Sequence, residues 1–329
     1  MTSKIEPGYN HKRVALNEVV PLRSPFVVQI TPSTFCPFKC NYCIQSSPSM
    51  GKRGLLKWDT FLKVCDQIKE FDDKLKQITI AGWGEPLTNK KLPDMIRHIK
   101  ESDIANEITL VTNGYLLTEK VSLEIINAGL DNMRISLEGM SADRYKEIAG
   151  INLNFDDLVN KIKFFYDNKN KCNVYVKVAD ISLDKNGEEL FYHTFRNISD
   201  TMYIESIRPI FWNNDGKSLN KWGLLHSPVD ICTPPFFELQ IDENGKVIPC
   251  CGYYDAPNLG NVYTSTLKEI WNNKILRDFQ IMLLKKERKT QNVYPVCRDC
   301  IIPNVTILPE DELDPYADIL LKKFGVKSD

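Results

Sequence analysis

A chain of 329 residues, 43% of them hydrophobic, is long enough for one large domain with a smaller companion and can bury a sizeable core. Its net charge of −1 lacks the basic footprint of a protein that binds nucleic acid or an anionic membrane. There is no apolar run of signal-peptide type and no uncharged apolar stretch of about 18 residues, so a soluble, cytoplasmic protein with no nucleic-acid or membrane partner is expected. Ten cysteines in such a chain point to metal or catalytic chemistry before disulfides.

Residues 1–24 are polar and broken by Pro7, Gly8 and Pro21, with Pro25 following, and read as an arm packed on the body. A βα rhythm then begins. Strands are predicted at 26–31, 77–81, 107–112, 132–137, 173–179 and 202–207. Helices are predicted at 58–70, 92–100, 118–127 and 155–166, the last with Phe155, Leu158, Val159, Ile162 and Phe165 on one stripe. Alternating strands and helices predict parallel βα units, here six over residues 25–208, and so an α/β fold with a partial (β/α)6 TIM-like barrel. The working end of such a barrel is the C-terminal edge of its strands.

Directly after the first strand come Cys36, Cys40 and Cys43, spaced C-x3-C-x2-C. Three thiolates on one short loop can hold three corners of a [4Fe–4S] cube and leave the fourth iron open to a small molecule, whereas closed clusters use four cysteines. A structural zinc site also wants four ligands. No fourth Cys or His lies near: the next cysteine is Cys65 and the nearest downstream histidine is His98. Three further strand ends carry Gly82-Trp83-Gly84-Glu85-Pro86, Thr112-Asn113-Gly114, and Arg134 through Gly139. Lys177 reads as an ordinary strand lysine, Arg144 as a helix-surface residue, and Cys65 as core. Nothing argues a role for Cys172.

The rhythm stops over 209–231, a linker in which Phe211, Trp212 and Trp222 read as anchors. A second cysteine group follows over 232–303. Cys232 leads into strand runs at 236–241 and 246–250 joined through Asn244-Gly245, a hairpin signal. Cys250-Cys251, a helix at about 266–284, and Cys297-x2-Cys300 complete it. Lys285–Lys289 and the acidic run Glu310–Asp314 read as solvated faces, and residues 304–329 as a tail with a short helix at 315–324.

The C-x3-C-x2-C loop, with Tyr42 just before its last cysteine, resembles the signature of the radical S-adenosylmethionine (SAM) superfamily, and the resemblance spans about residues 26–303. It implies that Cys36, Cys40 and Cys43 hold a [4Fe–4S] cluster whose open iron chelates SAM. The reduced cluster cleaves SAM to a 5′-deoxyadenosyl radical, which removes a hydrogen atom from substrate. The segment Gly82, Trp83, Gly84, Glu85 and Pro86 resembles the family's G-G-E-P segment, with Trp83 where a glycine usually sits, and implies binding of the SAM amino group. Asn113, Ser136 and Glu138 are implied SAM contacts, the last two at the ribose, and Tyr42 a neighbour of the adenine.

The second group resembles the auxiliary-cluster extensions called SPASM and twitch. Five cysteines instead of seven fit the shorter twitch form, an α+β domain with one auxiliary [4Fe–4S] cluster on Cys232, Cys250, Cys297 and Cys300. If Cys251 is the ligand, Cys250 is the spare. Spacing alone suits zinc equally; the N-terminal motif points to iron–sulfur. The resemblance further implies a flavodoxin- or ferredoxin-type electron donor. The expected substrate is a small molecule of carbohydrate or aminocyclitol type, since 25 residues before the barrel are too few for a leader-binding domain. The substrate radical either loses an electron to the auxiliary cluster, giving dehydrogenation, or takes a hydrogen atom from a thiol such as Cys251, giving epimerisation. A peptide maturase is the alternative enzyme, and a structural zinc protein the alternative outside catalysis.

Overall fold

A computed structural model describes residues 2–8, 13–46, 51–205, 229–250, 252, 255–300, 303 and 307–326. The expected linker anchors Phe211, Trp212 and Trp222, and the candidate thiol Cys251, lie outside the described residues.

One ten-stranded sheet runs through the chain: β1 (Lys4–Ile5), β2 (Val27–Ile30), β3 (Leu75–Ile80), β4 (Ala105–Thr112), β5 (Asn132–Leu137), β6 (Asn173–Ala179), β7 (Thr201–Glu205), β8 (Glu238–Ile241), β9 (Lys246–Ile248) and β10 (Gly260–Asn261). Its order is β1-β7-β6-β5-β4-β3-β2-β8-β9-β10, so it is not closed. Strands β2 to β7 pair parallel in sequence order, as the βα rhythm predicts. The intervening helices are α2 (Trp58–Ile68), α3 (Leu92–Ser102), α4 (Glu119–Ala128), α5 (Ala142–Ala149), α6 (Phe155–Asn168) and α7 (Gly187–Phe195), while α1 (Leu16–Val19) belongs to the arm. Alternation along the strands sorts the two faces. Met133, Ile135 and Leu137 of β5, Val174, Val176 and Val178 of β6, and Met202 and Ile204 of β7 are buried in the helix-side core.

Several expectations need correcting. The arm is not irregular throughout: β1 pairs parallel with β7, and α1 buries Leu16. The helix expected at 266–284 is two, α8 (Leu267–Trp271) and α9 (Lys274–Leu284), because Asn273 caps the second by accepting from Leu276 N. α10 (Pro295–Arg298) and α11 (Ala317–Lys323) follow. No span was predicted for α5, although Arg144 was read as a helix-surface residue, and α7 was not expected at all. The acidic run near the C-terminus is a solvated face only in part: Glu310 and Glu312 are exposed, but Asp311 is buried against Arg13, and Asp314 accepts from the backbone N–H groups of Asp230 and Ile231. Nor is Arg288 a solvated residue, being 2% exposed.

The second cysteine unit shares the sheet of the first. β8 pairs parallel with β2, and β9 returns antiparallel after a turn in which Gly245 has φ +79°. Gln67 of α2 fastens the units together from within: its Nε2 donates to Val262 O at 2.9 Å and its Oε1 accepts from Leu267 N at 3.2 Å. Trp271 Nε1 donates to Leu22 O at 3.0 Å. Gln67→Leu keeps the volume but strands both backbone partners in the core. We expect a loss of about 1–3 kcal/mol, read as a lower denaturation midpoint with an unchanged slope; an unchanged midpoint would show that the units do not depend on this joint.

Candidate functional site

The cysteine loop leaves β2 at the C-terminal edge of the parallel strands. Its backbone is pinned to the end of α5, with Lys39 N donating to Ala149 O at 2.8 Å and Asn41 N to Ile148 O at 3.0 Å. Cys43 N closes the loop onto Cys40 O at 3.1 Å. The three thiols are near enough to act on one another electrostatically. Burial, opposed in part by a backbone hydrogen bond at Phe38, pushes the Cys36 thiol up to about 12, and burial drives Cys40 and Cys43 upward too. Burial shifts the core thiols Cys65 and Cys172 in the same way, so it is the grouping of Cys36, Cys40 and Cys43 on one loop, and not their protonation, that suits a metal centre.

The β3 exit presses against this loop at two glycines. A Cβ on Gly84 would lie 2.5 Å from Ser33 O and 2.6 Å from Phe35 O, both backbone atoms. Gly82 has φ +153°, and a Cβ there would lie 2.4 Å from the Thr31 side chain. Glu85, 2% exposed, ties the β3 exit to the β4 exit. It accepts from Leu87 N (3.0 Å), Thr112 Oγ1 (2.6 Å) and Asn113 N (2.8 Å). Burial raises its pKa against these three donors. The Asn113 amide reaches Cys36 Sγ at 3.8 Å. Pro86 opens a short 3-10 turn over Pro86–Thr88.

Glu138, at the β5 exit, is pushed up to about 7 by burial, against the hydrogen bond from the Tyr42 hydroxyl and the nearby charge of Lys177. Ser136, two residues before it, is half-buried and sits opposite Lys177 in the β5–β6 register. The residues expected to contact SAM, Tyr42, Gly82, Gly84, Glu85, Asn113 and Glu138, therefore gather around Cys36, Cys40 and Cys43. Trp83 does something else. It is buried with Ile44, Ile248 and Ala256, and both Cys43 and Cys250 pack on this small cluster.

The second thiol group surrounds an apolar cavity lined by Cys232, Cys250, Cys297 and Cys300 together with Phe279, Leu283 and Arg288. Burial holds Cys232 well above its ordinary value and pushes Cys297 up to about 12, in each case with neighbouring cysteines adding to the shift. Four thiols lining one apolar cavity are the donor set of a closed cluster, although among the described residues no three of them converge on a single metal-ion position.

Arg144 lies on a helix and Lys177 on a strand, as expected, and both side chains make specific bonds. Arg144 donates to Ile181 O and Ser182 O at 2.7 and 3.1 Å, fastening α5 to the β6 exit. Lys177 and Tyr175, on the face of β6 away from the helices, both bond Glu205, at 2.6 and 2.9 Å. Cys65 and Cys172 are both buried in the hydrophobic core, as expected for the first.

Comparison with known proteins bears on the family and the fold. The Radical SAM superfamily model matches residues 30–184, and the SPASM model, an iron–sulfur cluster-binding domain, matches residues 232–301. A probable GTP 3′,8-cyclase of Methanococcus vannielii is 38% identical over 125 residues, 38% of this chain and 40% of the relative. A GTP 3′,8-cyclase of Clostridium perfringens is 30% identical over 176 residues, 52% of each. The chain thus spans about two fifths to one half of the length of these curated relatives. Among solved structures, BtrN in complex with AdoMet and 2-DOIA matches with TM-score 0.58 and 18% identity over 88% of this chain and 97% of that one. Native anSMEcpe with bound AdoMet matches with TM-score 0.60 and 17% identity over 92% and 97%. Streptococcus suis SuiB bound to S-adenosylmethionine matches with TM-score 0.57 and 15% identity over 91% and 80%. The cofactors of this chain are accordingly SAM, a [4Fe–4S] cluster that binds it, and iron–sulfur at the second cysteine group, and the chain belongs to the radical SAM superfamily as a member with a C-terminal SPASM- or twitch-like domain.

Proposed function

We infer that this radical SAM enzyme removes a hydrogen atom from a C–H bond of a small, polar, carbohydrate- or aminocyclitol-like substrate and dehydrogenates it. The observation that carries the reading is the inner face of the sheet. Opposite the apolar helix side, β5 to β7 present Arg134, Tyr175, Lys177, Tyr203 and Glu205 beside the SAM-cluster loop. Donors and acceptors in such density suit a substrate bearing hydroxyl and amino groups. The arm narrows this face: a Cβ on Gly8 would lie 2.4 Å from the Tyr175 ring. A narrowed, polar space favours a small molecule over a peptide chain.

Cys36, Cys40 and Cys43 would hold the SAM cluster, with Asn113 donating to the Cys36 sulfur. Glu85 keeps one carboxylate lone pair for the SAM amino group after accepting its three hydrogen bonds. Glu138 and Ser136 would meet the ribose, and Tyr42 the adenine. Cys232, Cys250, Cys297 and Cys300 would hold the auxiliary cluster. When bound, these groups supply the reductive cleavage of SAM and an acceptor for one electron. The balance is two electrons and two protons removed from substrate: one hydrogen atom to the deoxyadenosyl group, then one electron to the auxiliary site and one proton to a base. The relatives named GTP 3′,8-cyclase support the SAM chemistry through the part of the chain they match, and leave the substrate open. The described residues contain no helix long and apolar enough to cross a membrane.

The test is anaerobic turnover of the reconstituted chain with SAM, a flavodoxin-type reductant and aminocyclitols deuterated at ring carbons. We expect deuterium in 5′-deoxyadenosine and a product lighter by two hydrogens, both lost in Cys43→Ala. Product of unchanged redox state with one solvent hydrogen at an inverted carbon would replace dehydrogenation by epimerisation. Label transfer only from GTP or from a peptide would overturn the substrate class.

Gly84→Ala probes the cluster loop itself. Its Cβ has no room before the Ser33 and Phe35 carbonyls, so we expect about four of about eight irons per chain to be lost along with SAM cleavage, the second site staying loaded. Full iron content with wild-type cleavage would show that the loop does not lean on the β3 exit.

A further inference from the structure

Arg288 is a large, fully charged side chain, 2% exposed, in a part of the chain whose sequence reads as a solvated run of lysines. Its guanidinium is spent on backbone. Nη1 donates to Cys297 O at 2.8 Å and Cys300 O at 2.9 Å, and Nε reaches Asp230 O at 3.4 Å. One planar fork therefore joins the chain entering Cys232 to the Cys297-x2-Cys300 loop. Nη2 is buried with no hydrogen-bond partner among the described residues. Among those residues no carboxylate lies within ion-pair distance of it, and the nearby Asp230 side chain pairs with Lys289 instead, at 3.8 Å. Arg288 also lines the cavity that Cys232, Cys250, Cys297 and Cys300 share.

A buried cation without a counter-ion is costly, and a guanidinium does not escape by losing its proton. The arrangement is balanced if the cavity holds an anion. Four thiolates outweigh the positive charge of a [4Fe–4S] core, so a closed cluster there is anionic and becomes more so when it accepts an electron. The charge and hydrogen bonds around a cluster are among the levers that set its potential.

We propose that Arg288 is a positioning residue of the auxiliary site: it holds the Cys297–Cys300 loop in ligating shape and sets a fixed positive charge beside the cluster, raising its reduction potential. This rests on the assignment of that cluster to Cys232, Cys250, Cys297 and Cys300. Lysine keeps the charge but lacks the planar fork, and glutamine lacks the charge.

The experiment is an EPR-monitored redox titration of the reconstituted full-length chain and of its Arg288→Gln and Arg288→Lys variants, with iron and sulfide content. SAM is added to shift the signal of the cluster it binds and so mark the other. The Gln variant is expected either to lose the auxiliary signal alone or to keep it with a midpoint at least about tenfold harder to reduce, about 59 mV for one electron. The Lys variant should stay nearer the parent in the same readout. A fully loaded Gln variant with the parent's potential overturns the proposal, as do Lys and Gln variants impaired equally. A parent chain with no second iron–sulfur signal overturns the cluster assignment along with it, whereas a loaded parent beside an indifferent Gln variant overturns the role of Arg288 alone.

Discussion

The joint on which the site depends is the buried carboxylate of Glu85. A carboxylate that is 2% exposed must have its oxygens satisfied, and here Leu87 N, Thr112 Oγ1 and Asn113 N do so. Each donor comes from a strand exit, so one side chain fixes the β3 exit against the β4 exit. Gly84, one residue earlier, brings the same segment down on the backbone of residues 33–35, where the β2 exit turns toward Cys36. Three neighbouring loops are thus locked at their bases. The cysteines follow directly on this locked edge, and α5 holds their loop through Lys39 and Asn41.

The two cysteine groups belong to one packed body. β8 lies between β2 and β9 in a single sheet, so the strand leading to the first cysteine group and the strand running into Cys250 are one strand apart. Trp83 then fills the space between the groups with Ile44, Ile248 and Ala256. An indole at that point replaces a residue without a side chain in the family pattern, and what it adds is contact area shared by both sites. Dense packing of this kind fixes separations, because well-packed interiors do not deform continuously.

Much of this was legible in the sequence, and the part that was not has physical reasons. The six parallel strands announced themselves because each carries several apolar residues between turn signals, and the cysteine spacing is local by nature. The hairpin at Asn244-Gly245 followed from turn chemistry. Helix α5 was given no bounds, only Arg144 as a helix-surface residue, although its signals are present: Ser141 caps it by accepting from Arg144 N, and Gly150 ends it in a left-handed conformation. At eight residues it has too few periods to show a stripe. β1 offers two residues whose only reason to be a strand is the edge of β7. Arg288 sits in a charge run, and burial of one charge out of several is decided by tertiary packing that no local pattern carries. Splitting of the helix after Trp271 was readable in Asn272-Asn273, since asparagine favours a cap over a helix interior.

Burial dominates at both thiol groups, but their charged neighbours differ: carboxyls at the first and a guanidinium at the second. Around Cys36 and Cys40 the charged neighbours are chiefly carboxylates: Glu85 and Glu138 both push the Cys36 thiol up, and Glu138 does the same to Cys40, with Arg53 opposing only at Cys43. Around Cys232 and Cys297 the opposing charge is Arg288, with Glu238 a lesser influence at Cys232. Negative surroundings disfavour an added electron and make a cluster a stronger reductant; positive surroundings make it a better acceptor. An enzyme that must first push one electron onto SAM and then collect one from a substrate radical needs that order of potentials. A redox-neutral inversion needs no acceptor at the second site, whereas the dehydrogenation proposed above needs one, and Arg288 is the positive charge that the second group offers it.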